Sequence, residues 1–214
     1  MAERSADGDT KGMLVVAART LFAEKGIEGV SLREITRAAE QGNTRALQYH
    51  FGDRVALLAA VVGPFQADVD ARRDALLDTL TGQAAATIRD LAEALVRPSA
   101  TMLEVDGGKE YLRITAELVS DPRRFEEVVD PIRPNLDRWA ELATSLMPEA
   151  VTPLHRRFAA IQLSSSELGR RAATRRRSDH RLFVSDLIDL VTAVLDAPVS
   201  AETERLLVER DAAR

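Results

Sequence analysis

Apolar residues recur along this chain at steps of three and four, and no stretch keeps the two-residue alternation of a strand. Leu14, Ala17, Leu21 and Phe22 share one face and predict a first helix from about Thr10 to Lys25, capped by Asp9 or Thr10 and stopped by Gly26. Leu32, Ile35, Ala38 and Ala39 predict a short second helix from Ser31 to about Glu40, and Ser31 with Glu34 three residues on is a capping box. A turn, Gln41-Gly42-Asn43, leads to a third short helix from about Asn43 to His50, ending near Phe51-Gly52. Asp53 caps a long fourth helix reaching roughly Leu80, with Leu58, Val61, Val62, Phe65, Val69, Leu76 and Leu80 at helical spacing. Pro64 within it lacks a donor, which predicts a kink at Gly63-Pro64.

Further helices are expected at about Ala84–Val96, Lys109–Ser120 and Pro134–Leu146, with loops at Pro98, Gly107-Gly108 and Asp130-Pro131. Two long apolar seams close the chain. One starts at Pro153 and runs through Leu154, Phe158, Ile161, Ser165, Leu168 and Ala172; the other starts at Asp179 and runs through Phe183, Leu187, Val191 and Val194. Adjacent seams of this kind make half of a four-helix bundle, so Phe158, Ile161, Ser165, Leu168, Phe183, Leu187, Val191 and Val194 are the expected dimer interface. Beyond Pro198 a frayed helix is expected at Ala201–Arg210. The fold class is all-α. Residues 1–54 form an N-terminal domain, 55–198 a second helical domain and 199–214 a tail.

Composition narrows the chemistry. A chain of 214 residues that is 45% apolar can bury a core without a metal or disulfide staple. With no cysteine it has no thiol catalysis, thiolate zinc site or thiol redox sensing. No apolar run is long enough to span a bilayer, and the polar start, Met1 to Lys11, does not resemble a secretory signal, so a cytoplasmic location is expected. The three histidines, His50, His155 and His180, stand far apart, and no H-E-x-x-H, G-x-G-x-x-G, G-x-x-x-x-G-K or G-x-S-x-G motif occurs. An enzyme is therefore not expected, and neither a cofactor nor a metal.

The formal net charge is −5, which by itself argues against nucleic acid. Its distribution changes that picture. Residues 1–55 carry eight basic and eight acidic side chains, so the whole excess of acid lies downstream. Short helix, glycine turn and short helix over Val30–Phe51 is a helix-turn-helix pattern. Packing of Ile35, Ala38, Leu47 and Phe51 leaves Thr44, Arg45, Gln48 and Tyr49 outward, where Arg suits guanine and Gln suits adenine. Asn43 opens that helix, and Ser31, Tyr49, His50 and Arg54 have the chemistry of phosphate contacts. The basic run Arg170, Arg171, Arg175, Arg176 and Arg177 reads as cations at a helix C-terminus.

Residues 10–62 resemble the N-terminal domain of TetR-type transcriptional regulators. The likeness rests on Leu21-Phe22-Ala23-Glu24-Lys25-Gly26, on Val30-Ser31-Leu32-Arg33-Glu34-Ile35, on Leu47-Gln48-Tyr49-His50-Phe51-Gly52-Asp53-Arg54 and on Leu57-Leu58. Three features depart from the family pattern. The stretch from Ile35 to Phe51 is one residue longer, the turn reads Ala39-Glu40-Gln41-Gly42-Asn43, and Asp53-Arg54 stands where a lysine is usual. The resemblance implies a homodimer that binds a palindromic operator in double-stranded DNA, more often a repressor than an activator, and a helical second domain that takes a small ligand. Phe65, Met102, Tyr111, Thr115, Leu118, Trp139 and Gln162 are the expected ligand-pocket residues, Glu117 is a further polar group that can orient a ligand, Phe125 is a further apolar wall candidate, and the apolar balance suits a small hydrophobic molecule. The competing reading is a helical ligand-binding protein or enzyme with no regulatory role on DNA.

Overall fold

A computed structural model describes residues 2–40, 44–81, 86–120, 134–174 and 179–212. Gln41, Gly42, Asn43, Phe125, Pro131, Arg175, Arg176 and Arg177 fall outside these ranges. Ten α-helices and two short 3-10 turns make up the described residues, without strand. The helices are α1 (Ala2–Lys25), α2 (Leu32–Ala38), α3 (Thr44–Phe51), α4 (Arg54–Thr81), α5 (Ile88–Ala100), α6 (Gly108–Ser120), α7 (Pro134–Leu146), α8 (Arg156–Ala172), α9 (Arg181–Leu195) and α10 (Ala201–Ala212). None of them is long and apolar enough to cross a membrane.

α1 begins eight residues before the expected Thr10. Its buried stripe is Leu14, Ala18, Phe22 and Ala23, one position off the expected set, with Ala17 and Leu21 at the half-buried edge. Ser31 caps α2 as expected. Its hydroxyl accepts from the Glu34 N–H at 3.2 Å, and the Glu34 carboxylate accepts from the Ser31 N–H at 2.8 Å. That backbone bond, with help from Lys25 at 3.0 Å and the Ser31 hydroxyl, pulls the Glu34 carboxyl from its usual 4.5 to about 2. On α2, Ala38 is exposed, and Thr36 is buried in its place with its hydroxyl turned back onto the carbonyls of Leu32 and Arg33.

α4 continues through Pro64 as expected; the ring faces solvent, where the carbonyl left without a partner can be hydrated. α5 runs through the buried Pro98 to Ala100 rather than stopping at Val96. The seam expected from Pro153 begins later, at Arg156. A 3-10 turn, Glu149–Leu154, comes first, and His155 then sits in the left-handed region at φ 52°.

The core is one continuous cluster shared by α1 to α9. Its tightest seam is between α6 and α8, where Gly169 lets the two backbones approach. A Cβ built on Gly169 would lie 2.5 Å from the Ala116 Cβ and 3.2 Å from the Leu112 carbonyl oxygen. α9 lies against α5 and α8, and α4 against α5, α6 and α7. Trp139 of α7 is fully buried, with its indole N–H donating to the Leu91 carbonyl at 2.9 Å. Gly169→Ala would gain ~1 kcal/mol of helix propensity elsewhere. Here the overpacked seam is expected to reverse the sign and cost ~1–3 kcal/mol, read by urea denaturation.

Candidate functional site

The N-terminal face is built from α1, α2, α3 and the start of α4. Leu47 is fully buried and fixes the roll of α3. Arg45, Gln48 and Tyr49 lie at i, i+3 and i+4 on the opposite side and are exposed, Tyr49 to 79%. The Tyr49 ring meets His50 edge-on at 5.2 Å, and His50 is half-buried beside Phe51. Lys11 of α1 stands 5.7 Å from the centre of the Phe51 ring, which adds a cation beside the end of α3. Arg33 and Arg37 are exposed one turn apart on α2. Sequence reasoning passed over these three cations. The Arg33 and Arg37 spacing was visible, but Lys11 becomes a neighbour of α3 only through the fold. Asn43 lies outside the described residues.

Two expected phosphate contacts are occupied with holding the face together. The Ser31 hydroxyl is engaged in the α2 cap. Arg54 turns inward, which corrects its expected place on the DNA side. Its guanidinium lies 5.4 Å from the Phe22 ring centre, and Nη2 donates to the carbonyls of Ile27 and Val30, the latter at 2.6 Å. It thereby ties the start of α4 to the link between α1 and α2.

A second tie reaches that link from α6. Gly26 ends α1 at φ +80°, a conformation that glycine adopts without strain, and its N–H returns to the Phe22 carbonyl at 3.0 Å. The next N–H, of Ile27, donates to both carboxylate oxygens of Glu117 on α6, at 2.9 and 3.0 Å. Glu117 was expected to orient a ligand; it instead grips the N-terminal face.

The expected ligand residues divide three ways. Phe65 and Tyr111 stack at 5.4 Å between ring centres, and Arg19 of α1 stands 5.5 Å from the centre of the Phe65 ring. The Tyr111 hydroxyl donates to Gln66 Oε1 at 2.8 Å, and Gln66 Nε2 donates to Asp70 Oδ1 at 2.8 Å. Arg73 Nη1 donates to the same oxygen at 2.6 Å. Burial drives the Tyr111 hydroxyl up to about 12, against the influence of Thr115 one turn along α6. Burial likewise raises Asp70, although Arg73 opposes it. Met102, Leu118 and Trp139 belong to the solid core. Gln162 is exposed on α8, away from this cluster. Gln66, Asp70 and Arg73 were not anticipated, because spaced polar residues on a long helix read as its solvated side.

The expected dimer face also needs correction. Leu168, Leu187 and Val191 are buried inside the chain at 0–1% exposure, since the inner stripes of α8 and α9 face α6 and α5. Phe158 is exposed, and Ile161, Ser165, Phe183 and Val194 are half-buried. Leu182 and Leu190 add apolar surface to the outer side of α9, Leu182 at 81% exposure. Of the basic run, Arg170 pairs with Glu167, and Arg171 donates to His180 Nδ1 at 3.2 Å while its guanidinium lies 5.0 Å from the Phe183 ring centre.

Residues 14–61 match the family model described as bacterial regulatory proteins, tetR family. No curated protein matches the chain. Among solved structures, the fold is similar to NalD of Pseudomonas aeruginosa, the secondary repressor of the MexAB-OprM multidrug efflux pump. That pair shares 19% identity over 87% of this chain and 95% of the other, with a TM-score of 0.59. It is also similar to AmtR of Mycobacterium smegmatis, at 17% identity over 94% of this chain and 93% of the other, with a TM-score of 0.55.

Arg54 and Arg45 should separate cleanly in a stability assay. Arg54→Met removes the bonds to Ile27 and Val30 and is expected to lower unfolding free energy by ~1–3 kcal/mol. Arg45→Ala, on the exposed side of α3, is expected to leave the thermal midpoint unchanged. Equal midpoints for both variants in a melting experiment would contradict the inward clamp.

Proposed function

We propose that this chain, whose residues 14–61 form the helix-turn-helix DNA-binding domain of the tetR family, is a cytoplasmic transcriptional repressor. It binds a palindromic operator as a homodimer and lets go when a small, largely apolar molecule enters its body. On this reading residues 1–54 are the DNA-binding head, 55–198 the ligand-binding and dimerisation body, and 199–214 a tail.

One observation carries the reading: Arg45, Gln48 and Tyr49 project together from a short helix whose buried side is locked by Leu47. A guanidinium can donate two bonds to guanine N7 and O6, and a carboxamide can donate to adenine N7 and accept from its N6–H, in the major groove. Thr44 opens α3, and on this reading Asn43, which lies outside the described residues, joins it at the bases while Lys11, Arg33, Arg37 and His50 meet phosphates alongside. The head is electrically neutral and the body acidic, so affinity comes from a few placed groups rather than bulk charge.

Release follows from linkage. A ligand shifts the protein toward the state it prefers by its difference in affinity for the two states. α4 starts at the Arg54 clamp and carries the Gln66–Asp70–Arg73 chain, while α6 carries Tyr111 at one end and the Glu117 grip on Ile27 at the other. A molecule at Tyr111 therefore acts on both helices that hold the head.

Gel shifts with operators selected from random duplexes test the DNA role, and the expected binding weakens steeply with salt. Arg45→Ala or Gln48→Ala is expected to relax base preference at one position per half-site and to cost ~1–3 kcal/mol. A uniform loss on all sequences would assign those residues to the backbone instead. The dimer is tested by sedimentation velocity. The intact chain should sediment as a dimer through Phe158, Ile161, Ser165, Phe183 and Val194, with Leu182 and Leu190 beside them. Phe158→Glu with Leu190→Glu should convert it to a folded monomer, and a dimer unaffected by both changes refutes this interface.

A further inference from the structure

Among the described helices, α10 alone contributes no side chain to the core. Thr203, Leu207 and Arg210 on its inner side are half-buried, while Leu206 and Val208 are exposed. A helix of twelve residues is marginal by itself in water, so α10 gains from any further apolar contact. Between α10, the end of α7 and the 3-10 turn Glu149–Leu154 runs a groove of about 1040 Å3. That is the size of a small-molecule site, far larger than the voids left by ordinary packing.

The groove joins apolar surface to charge of one sign. Met147, Pro153, Leu207 and Val208 supply the apolar surface. Glu149 on the turn and Glu204 and Asp211 on α10 supply carboxylates from both sides, and none of the described residues that line it is basic. Asp211 is already met by Arg210 at 2.7 Å, whereas Glu149 and Glu204 have no ion pair among the described residues. Arg157, which reaches the α7 wall, is turned onto the Ala140 carbonyl at 2.8 Å and the Thr144 hydroxyl. The C-terminal end of α7 adds the negative end of a helix dipole. The field in the groove is therefore negative, and its apolar walls concentrate that field. A second copy fits this charge poorly. α10 carries Glu202, Glu204, Glu209 and Asp211 against Arg205 and Arg210, so two such helices meeting here would repel.

We propose that this groove is a ligand site distinct from the Tyr111 region, and that it takes a small hydrophobic cation of the alkylammonium kind. The cationic head lies between Glu149 and Glu204, and the hydrocarbon part covers Met147, Pro153, Leu207 and Val208. Bound there, the molecule joins α10 to the end of α7, and the last helix of the chain becomes the outer wall of a site. The site stands on the groove alone and does not depend on the role of the head on DNA.

Calorimetric titration of the full chain with decyltrimethylammonium, decanol and decanoate, each below its micelle concentration, varies the head charge on one hydrocarbon tail. The ammonium is expected to bind most tightly and to weaken with added salt, which should leave decanol unaffected. Glu149→Gln with Glu204→Gln removes two exposed charges and keeps their shape, so the chain should fold. It should weaken the ammonium by roughly fivefold or more and leave decanol unchanged. Leu207→Ser should weaken ammonium and decanol together, and Phe65→Leu, in the Tyr111 cluster, should change neither. Equal or tighter binding of decanol or decanoate overturns the proposal. So does no binding of any probe, or an ammonium affinity that survives the two Gln substitutions. Loss of the ammonium in Phe65→Leu would move the site to the Tyr111 cluster and also overturn it. Leu207→Ser is further expected to keep the sedimenting mass of the unaltered chain; a lower mass would give the groove to a second copy and overturn the ligand.

Discussion

The Glu117 carboxylate on the Ile27 N–H is the contact on which the placement of the head depends. A helix end leaves backbone donors without partners, and a short link between helices has few ways to satisfy them. Here the donor beyond Gly26 is taken by a side chain ninety positions away, from the middle of the body. The Arg54 guanidinium closes the same link from the other side through the carbonyls of Ile27 and Val30. Donor and acceptor groups of one short segment are thus held by α6 and α4 separately, and the attitude of α3 follows from both. A head held only by apolar packing could tilt with little penalty. Two charged groups on specific backbone atoms set a defined orientation, because each loses its bond if the link rotates.

The same division explains why the exposed residues of α3 are positioned without help from net charge. Their positions come from Leu47, the Ser31–Glu34 cap and the clamp on the link, all inside the head or at its border. Arg45, Gln48 and Tyr49 stay exposed, outside the apolar core. On the proposed role, the acidity downstream of residue 55 discourages contact with DNA away from a matching site.

Much of this was legible in the sequence because it is local. The capping box, the glycine after α1 and most of the apolar stripe of α4 each reside in a few neighbouring residues, and the structure has them where the spacing put them, except that Leu77 rather than Leu76 is fully buried. What was not legible involves partners distant along the chain. Arg54 looked like a free surface cation, and nothing near it in sequence announces Ile27 and Val30. Glu117 looked like a group available to a ligand for the same reason. Leu168, Leu187 and Val191 were assigned to the outer face because periodicity identifies a stripe but not what covers it. A helix such as α9 has an inner stripe against α5 and an outer one at Leu182 and Leu190, and the inner one dominates the pattern. Gln66, Asp70 and Arg73 were missed because three-residue spacing of polar groups is also what a solvated helix face shows.

Gly169 gives α6 an unusual mechanical setting. At Gly169 α8 presents bare backbone to α6, with the Ala116 methyl and the Leu112 carbonyl oxygen packed directly against it. Protein interiors resist compression, so α6 has no room to shift sideways toward α8. α6 is therefore backed by α8 at the turn that carries Glu117, so the carboxylate that receives the Ile27 N–H stands on a helix with no room to yield on that side.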